Sequence, residues 1–402
     1  MTRFVSAVAV LATAAALTAQ VPYGSSVVGV IGNLAPSEGL FMADRAGVAT
    51  PVTGLLAAGS SNLNVNAVAL DPIDDRVWIT SSTTNQLNWI RILGSTVSQF
   101  TQHGTITVNS LASITFDDNA NPLVCGGTAL AGVFRIDRKL GGAGTIIGAV
   151  ATGTHNGITK DGAGNLYIGM FGTGQVHMMV KNPNGTYQPP VLHGTTAITS
   201  ISGIAFAPTD GVNPDELWIT TFGAAGNQLF RMPITGGAGV PVANTLAGCN
   251  WVDYDRSRND ILIASQAGND RVFQVNRTTG LDTTLCTLGS GSVGVPASND
   301  ANDAPWAGTT VAPMILNGGV GPFDLEVGTT APPGTLALIG TAFPSVVVLG
   351  VALVGADGKL SVNLPNVTLG GPIAPGSLQF IAAYFDVFGN LNIGAPVSWP
   401  AL

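Results

Sequence analysis

The chain has 402 residues, room for two domains around a large core, and 46% of them are hydrophobic. Only 9% are charged, against roughly 25% in an average globular protein. That hydrophobic content excludes a disordered chain, and a formal net charge of −8 with no Lys/Arg cluster excludes nucleic acid as a partner.

Residues 1–19 read as a secretory signal peptide, with Arg3 at its start, an apolar stretch from Phe4 to Ala16, and Ala19 before the cut. No later segment spans a bilayer as a helix, because the apolar run at 335–355 is broken by Gly340, Pro344 and Gly350. A secreted, periplasmic or cell-surface protein, monomeric, is therefore expected. The three cysteines, Cys125, Cys249 and Cys286, lie far apart without a CxxC pair. They offer no metal site; a Cys249–Cys286 disulfide and three buried thiols are both open.

The clearest unit runs from Ile201 to Ile234. It reads as a strand (Ile201–Phe206), a polar turn (Pro208–Asp215), a second strand (Glu216–Thr221), a Gly-rich turn and a third strand (Gln228–Met232). A fourth short run follows at Gly239–Ala243. The first strand recurs as NAVALD from Asn66, ASITFD from Ala112, NGITKD from Asn156, SGIAFA from Ser202 and NWVDYD from Asn250, at spacings of 46, 44, 46 and 48 residues. Second strands (RVWITS, NPLVCG, NLYIGM, ELWITT, DILIAS) and third strands (NWIRIL, GVFRID, QVHMMV, QLFRMP, RVFQVN) follow in step. Four-stranded sheets at this period predict a β-propeller. Five units are visible, and strands at 27–31, 40–43 and 48–52 complete a sixth with a strand from after Thr287. The expected fold class is all-β: a six-bladed β-propeller over 20–305, a linker over 306–322, and a small C-terminal β-sandwich over 323–402. Asp357-Gly358 and Gly389-Asn390 read as hairpin turns in the latter.

Within the repeats, small residues (Ala67/Ala69, Ser113/Thr115, Gly157/Thr159, Gly203/Ala205) alternate with large ones on the first strands, as crowding around an axis requires. Asp71, Asp117, Asp161 and Asp255 close those strands, and their side chains suit bonding to turn amides. Trp78, Tyr167 and Trp218 share a second-strand position and read as packing between blades.

Candidate function gathers at the start of the first strands. Asn66, Asn156, Ser202 and Asn250 would ring one channel mouth, either as a polar ligand site for a sugar or peptide or as turn caps. His155 reads as an exposed loop residue beside Asn156, and Asp253 takes a small-residue position near the axis, where an ionised group needs a partner. His177 falls in a packed third-strand column. Asn299, Asp300, Asn302 and Asp303 have the composition of an oxygen-rich calcium loop but lack its Gly hinge and terminal Glu, so a solvated linker is the better reading. GSGSVG at 289–294 precedes Pro296 and no helix, which rules out a phosphate cradle.

With Asn156-Gly157-Ile158, Asp161 and Gly164-Asn165-Leu166-Tyr167, the repeat resembles NHL-like and streptogramin-lyase-like propellers, a likeness of fold. The DGKLSVNLPN, LQFIAAYFD and APVSW segments resemble the terminal domain of uncharacterised exported planctomycete-type proteins, which implies export and surface retention. Asn156-Gly157 also resembles the Asn-Gly of metal-dependent gluconolactonase-type propellers, whose cation is held by that Asn with a Glu and an Asp. The Glu and Asp are missing from every visible unit, and Glu38-Gly39 lies too close to Asn66 to supply one. The favoured expectation is a non-enzymatic binding module for a protein or polysaccharide. The alternative is a divalent-cation-dependent lactonase- or lyase-like enzyme, with Ca2+ as candidate cofactor and Asn156 aided by Asn250, Asp253 or His155.

Overall fold

The computed structural model describes residue 21, residues 25–31, 39–288 apart from short loop stretches, the strand 295–301, and eight strand segments between 314 and 398. The expected signal peptide, Glu38, residues 289–294, Asn302 and Asp303 lie outside the described residues. Every regular element described is a β-strand. Two compact units emerge, one of 25–301 without 72–74 and one that holds 302–402.

In the larger unit each repeat folds as an antiparallel sheet whose strands follow chain order outwards. The first strands are Val65–Leu70 (blade 1), Leu111–Phe116 (blade 2), Thr154–Lys160 (blade 3), Ile201–Ala207 (blade 4) and Cys249–Asp255 (blade 5). A further sheet takes three strands from the beginning of the chain, Ser26–Ile31, Leu40–Ala43 and Ala49–Pro51, and its inner strand, Val295–Ala301, from beyond the repeats. Asn299 and Asp300 therefore belong to a strand, paired with Val28 and Val27, and not to a linker or an ion-binding loop. The chain needs a strand there because Ser26–Ile31 would otherwise present an open edge. The inner strands pack in sequence from Val65–Leu70 around to Val295–Ala301, which returns to Val65–Leu70 and closes the ring. At the periphery, blade 2 adds its outer strand to that of blade 1 in parallel at Gly104–Gly142 and Thr105–Ala143, making one eight-stranded sheet.

The core sits between blades. One cluster joins Trp78 and Leu87 of blade 1 to Ile114, Val124 and Phe134 of blade 2, and another joins Tyr167 and Val176 of blade 3 to Ile204, Leu217 and Phe230 of blade 4. A sheet covered on both faces needs apolar residues on both, and Val77–Ser81 and Glu216–Thr221 are buried at every position. Trp78 and Trp218 are fully buried, as packing residues should be. The inner strands approach so closely that a Cβ on Gly157 would lie 3.0 Å from the Ile204 nitrogen, and one on Gly203 3.0 Å from the Val252 nitrogen. That contact is the physical basis of the small-residue column.

The turn after the inner strand explains the D-x-x-G-N-L-Y pattern atom by atom. Asp161 Oδ1 accepts the amides of Ala163 and Asn165 at 2.9 and 2.8 Å, and its Oδ2 accepts Asn165 Nδ2 and the Tyr167 hydroxyl at 2.9 and 3.0 Å. Gly164 takes φ = +87°, the left-handed conformation that glycine tolerates best. Blade 2 repeats the geometry with Asp117, Asn119 and Asn121, but Ala120 occupies the glycine position at φ = +57°.

The thiols are free and buried. Cys249 is on the inner strand of blade 5 and Cys286 on its outer strand, with two strands between them. At roughly 4.8 Å per strand their Cα atoms are about 14 Å apart, beyond a disulfide's reach of about 7 Å, which settles the pairing question against a bridge.

The smaller unit forms a three-stranded sheet of Met314–Leu316, Phe323–Gly328 and Lys359–Leu364. A second sheet is built on Leu336–Phe343, Val347–Leu353 and Gln379–Phe385. The paired strands Gln379–Phe385 and Leu391–Ile393 flank Gly389-Asn390, which lies outside the described residues. Val347–Leu353 and Lys359–Leu364, on either side of Asp357-Gly358, belong to different sheets, and that pair too lies outside the described residues.

Replacing Ala120 by Gly is expected to raise stability. Left-handed backbone costs an alanine about 1–2 kcal/mol, and glycine's extra unfolded-state freedom returns roughly 0.5–1 kcal/mol of that. An upward shift of the denaturant midpoint by up to about 1 kcal/mol in free energy is the expected reading; a downward shift would contradict the strain.

Candidate functional site

Each inner strand carries a β-bulge at its first turn of pairing, and the bulged residue is Asn66, Ala112, Asn156, Ser202 or Asn250. In the closing sheet the equivalent residue is Ala297. The column read as a ligand ring is thus a column of bulges, and a bulge re-aims a side chain. Asn66 Nδ2 donates to the Leu111 carbonyl at 2.8 Å, and Asn156 Nδ2 to the carbonyls of Ile201 and Ser202, both at 3.2 Å. These amides run along the ring and tie blade 1 to blade 2 and blade 3 to blade 4. Further along the strands, Ser113 Oγ accepts the Ile158 amide at 3.2 Å, and Thr159 Oγ1 accepts that of Phe206 at 3.1 Å. Small hydroxyls thereby satisfy inner-strand amides that have no neighbour in their own sheet.

Ser202 is buried and its hydroxyl donates to Thr220 Oγ1 at 3.2 Å. Asn250 and Asp253 are half-buried on the inner strand of blade 5, and Asp253 stands at the strand position that Thr159 occupies in blade 3. His155 is not exposed. It is fully buried, and its Nε2 accepts the Val150 amide at 3.2 Å, pinning the connection from blade 2 to blade 3. The sequence could not show this because burial of the imidazole ring depends on what packs around it in the folded chain. His177 is half-buried, with Nε2 3.1 Å from Gln175 Oε1.

The bulge column contains amides and a hydroxyl but no carboxylate, a donor set that does not fit a hard divalent cation. Among the described residues no group of three or more His, Cys, Asp or Glu side chains is placed to hold a metal ion.

At the opposite end of the strands the charges converge. Arg138, Lys181 and Arg277 follow the third strands of blades 2, 3 and 5 at equivalent positions, and each reaches back to a carboxylate of the preceding blade. Arg138 Nη2 lies 3.0 Å from Asp71 Oδ1, Lys181 bonds Asp118, and Arg277 Nε lies 3.1 Å from Glu216 Oε1. Arg277 also donates to the Ala207 and Pro214 carbonyls at 3.1 and 2.6 Å, and its side chain is only 1% exposed. The same carboxylates accept the tips of the aromatic column: Trp78 Nε1 reaches Asp71 at 2.7 Å and Trp218 Nε1 reaches Glu216 at 2.9 Å. These clamps were missed at the sequence level, although an Asp/Asn-Arg pair closing the third strand (Asp137-Arg138, Asn276-Arg277) was a readable signal.

Comparison with known proteins adds the following. No protein-family model matches the chain, and no curated protein matches it. A chain of the nidogen/laminin complex matches with TM-score 0.52 at 11% identity, over 69% of this chain and 97% of that one. The chain folds as a β-propeller. Virginiamycin B lyase from Staphylococcus aureus (TM-score 0.40, 12% identity, 83% of this chain and 94% of that one) is also similar. So is regucalcin, a calcium-binding protein from Agrobacterium tumefaciens (0.43, 14%, 66% and 81%). At these identities the likeness is one of fold alone, and the propeller hosts many chemistries.

Two outcomes follow from the propeller's geometry. Arg277→Met takes one of two cations from the buried Glu216, leaving Arg231 on Oε2 at 2.8 Å, and strips the donor from the Ala207 and Pro214 carbonyls, so it is expected to cost about 1.5–3 kcal/mol. Lys181→Met, which leaves the half-exposed Asp118 paired with Lys160, should cost under about 1 kcal/mol; equal losses in denaturant melts would contradict the burial difference. The second concerns pH. Burial lowers the pKa of His103, His155, His177 and His193 below the ordinary 6.5, opposed by carbonyl bonds from Asp137 at His103, Gly132 at His155 and Pro233 at His193. A depressed histidine contributes stability that is fully present above the unfolded pKa and is lost as pH falls below it. Asp270, pushed up to about 6 by burial, works in the other direction. With four groups against one, the urea midpoint should fall between about pH 7 and pH 5, and the slope should flatten in His155→Gln; a flat wild-type profile would refute it.

Proposed function

We propose that this chain is an exported six-bladed propeller acting as a binding module for a protein or polysaccharide partner, with a C-terminal β-sandwich as accessory or attachment module. The observation that carries it is the direction of the Asn66 and Asn156 amides, which hold neighbouring blades together at the place where a catalytic constellation was sought. A ring tied at both ends of its inner strands is a rigid frame, and rigid frames position recognition loops. Low charge content, 9% of residues, suits a neutral partner recognised through hydrogen bonds and shape more than through charge. Export rests on the sequence of residues 1–19 and places the partner at or outside the cell envelope.

The test has two arms. Immobilised full-length protein is passed over cell-envelope polysaccharides and extracellular proteins, with saturable binding by one of them as the expected result. Calorimetry with calcium, magnesium, manganese and zinc, joined to lactone-hydrolysis and lyase assays, is expected to give neither heat nor turnover. Cation-dependent turnover abolished by Asn156→Ala in a folded variant would replace this reading with the enzymatic one.

A further inference from the structure

The chain contains two Asn-Gly pairs among its described residues, and the fold treats them oppositely. Asn156-Gly157 lies in the inner strand of blade 3, with the Asn156 amide held by two carbonyls of the next blade and the Gly157 backbone packed against Ile204. Asn184-Gly185 lies in the turn between the third and outer strands of the same blade, with Asn184 exposed and nothing within 4 Å of a Cβ placed on Gly185. Asn184 Oδ1 accepts two hydrogen bonds from Thr186, from its amide at 3.1 Å and its hydroxyl at 2.7 Å. That hydroxyl in turn accepts Asn182 Nδ2 at 2.9 Å, and Asn182 Oδ1 accepts Gln188 Nε2 at 3.3 Å. The chain of donors ends on one side-chain carbonyl. Such chains polarise one another, and donors aimed at a carbonyl oxygen stabilise the oxyanion that forms when its carbon is attacked. The would-be nucleophile is close in sequence: the Gly185 N–H donates to the Asn182 carbonyl at 2.9 Å, which draws electron density onto its nitrogen.

The geometry points to Asn184 as a site of self-catalysed deamidation. The Gly185 nitrogen attacks Asn184 Cγ, forming the N–C bond while its proton passes to water. The Cγ–Nδ2 bond breaks, ammonia leaves carrying a proton from water, and a cyclic imide remains. Water then opens either carbonyl of the imide, giving aspartate or isoaspartate and one further negative charge. Asn156 is protected because the same ring closure would need its amide to leave two carbonyls and Gly157 to leave its packed position. The inference is independent of the binding reading.

Ageing the full-length folded protein at mildly alkaline pH, with peptide mapping for aspartate and isoaspartate and assay of released ammonia, tests it. Asn184 is expected to convert faster than any other asparagine among the described residues and Asn156 to stay intact, while in denaturant both pairs convert. Thr186→Val removes the hydroxyl and should slow conversion about tenfold, the rate equivalent of one hydrogen bond of about 1.4 kcal/mol. Gly185→Ala, which crowds the nucleophile, should slow it further. Conversion of Asn156 at the rate of Asn184 in the folded chain, no conversion at 184, or an unchanged rate in Thr186→Val would each overturn the proposal.

Discussion

The distance between adjacent inner strands is the constraint from which the rest follows. The inner strands converge on one axis, and their backbones come close enough that a single methyl group on Gly157 or Gly203 would press on a neighbouring amide. Small side chains are needed there, and the amides that face no partner within their own sheet must be satisfied across the seam. Ser113 and Thr159 do this with hydroxyls, while Asn66 and Asn156 donate to carbonyls in the reverse sense. Close approach and cross-seam bonding are two sides of one arrangement, because a bond of about 3 Å from a short side chain is possible only where backbones are near.

At the other end of the same strands the bonding changes character. The seams are bridged by long cations, Arg138, Lys181 and Arg277, reaching back to Asp71, Asp118 and Glu216. Where the carboxylate is buried it is also fixed by an indole N–H, from Trp78 or Trp218. Each such aromatic therefore fills the seam with its ring and orients the ion pair with its tip, which explains why a residue with a polar end occupies a packing column. The seam's apolar clusters lie between these two polar layers.

This arrangement bears on function by assigning most of the striking sequence features to assembly. Asn66, Asn156 and Ser202 hold seams or strands, His155 holds a connection, and the Asp column shapes turns. Under the proposed binding role, recognition falls to the loops between strands, the usual place for specificity on a repetitive frame.

Much of the fold was legible without coordinates. The repeat period, the strand order within each unit, the Asp-anchored turns and the composite sheet all follow from local pattern, since a strand two residues in period and a turn with Asp, Gly and Asn have one economical geometry each. Sequence also identified the bulge column as special, because Asn recurs there. It could not say which way those side chains point, since a bulge is a relation between two strands and its effect depends on a third in the next blade. The buried state of His155, the partnership of Arg277 with Glu216 some sixty residues away, and the separation of Cys249 from Cys286 were decided only by the closing of the ring. Residue types fix what each group can bond to; only the packing of one sheet on another fixes what lies within reach.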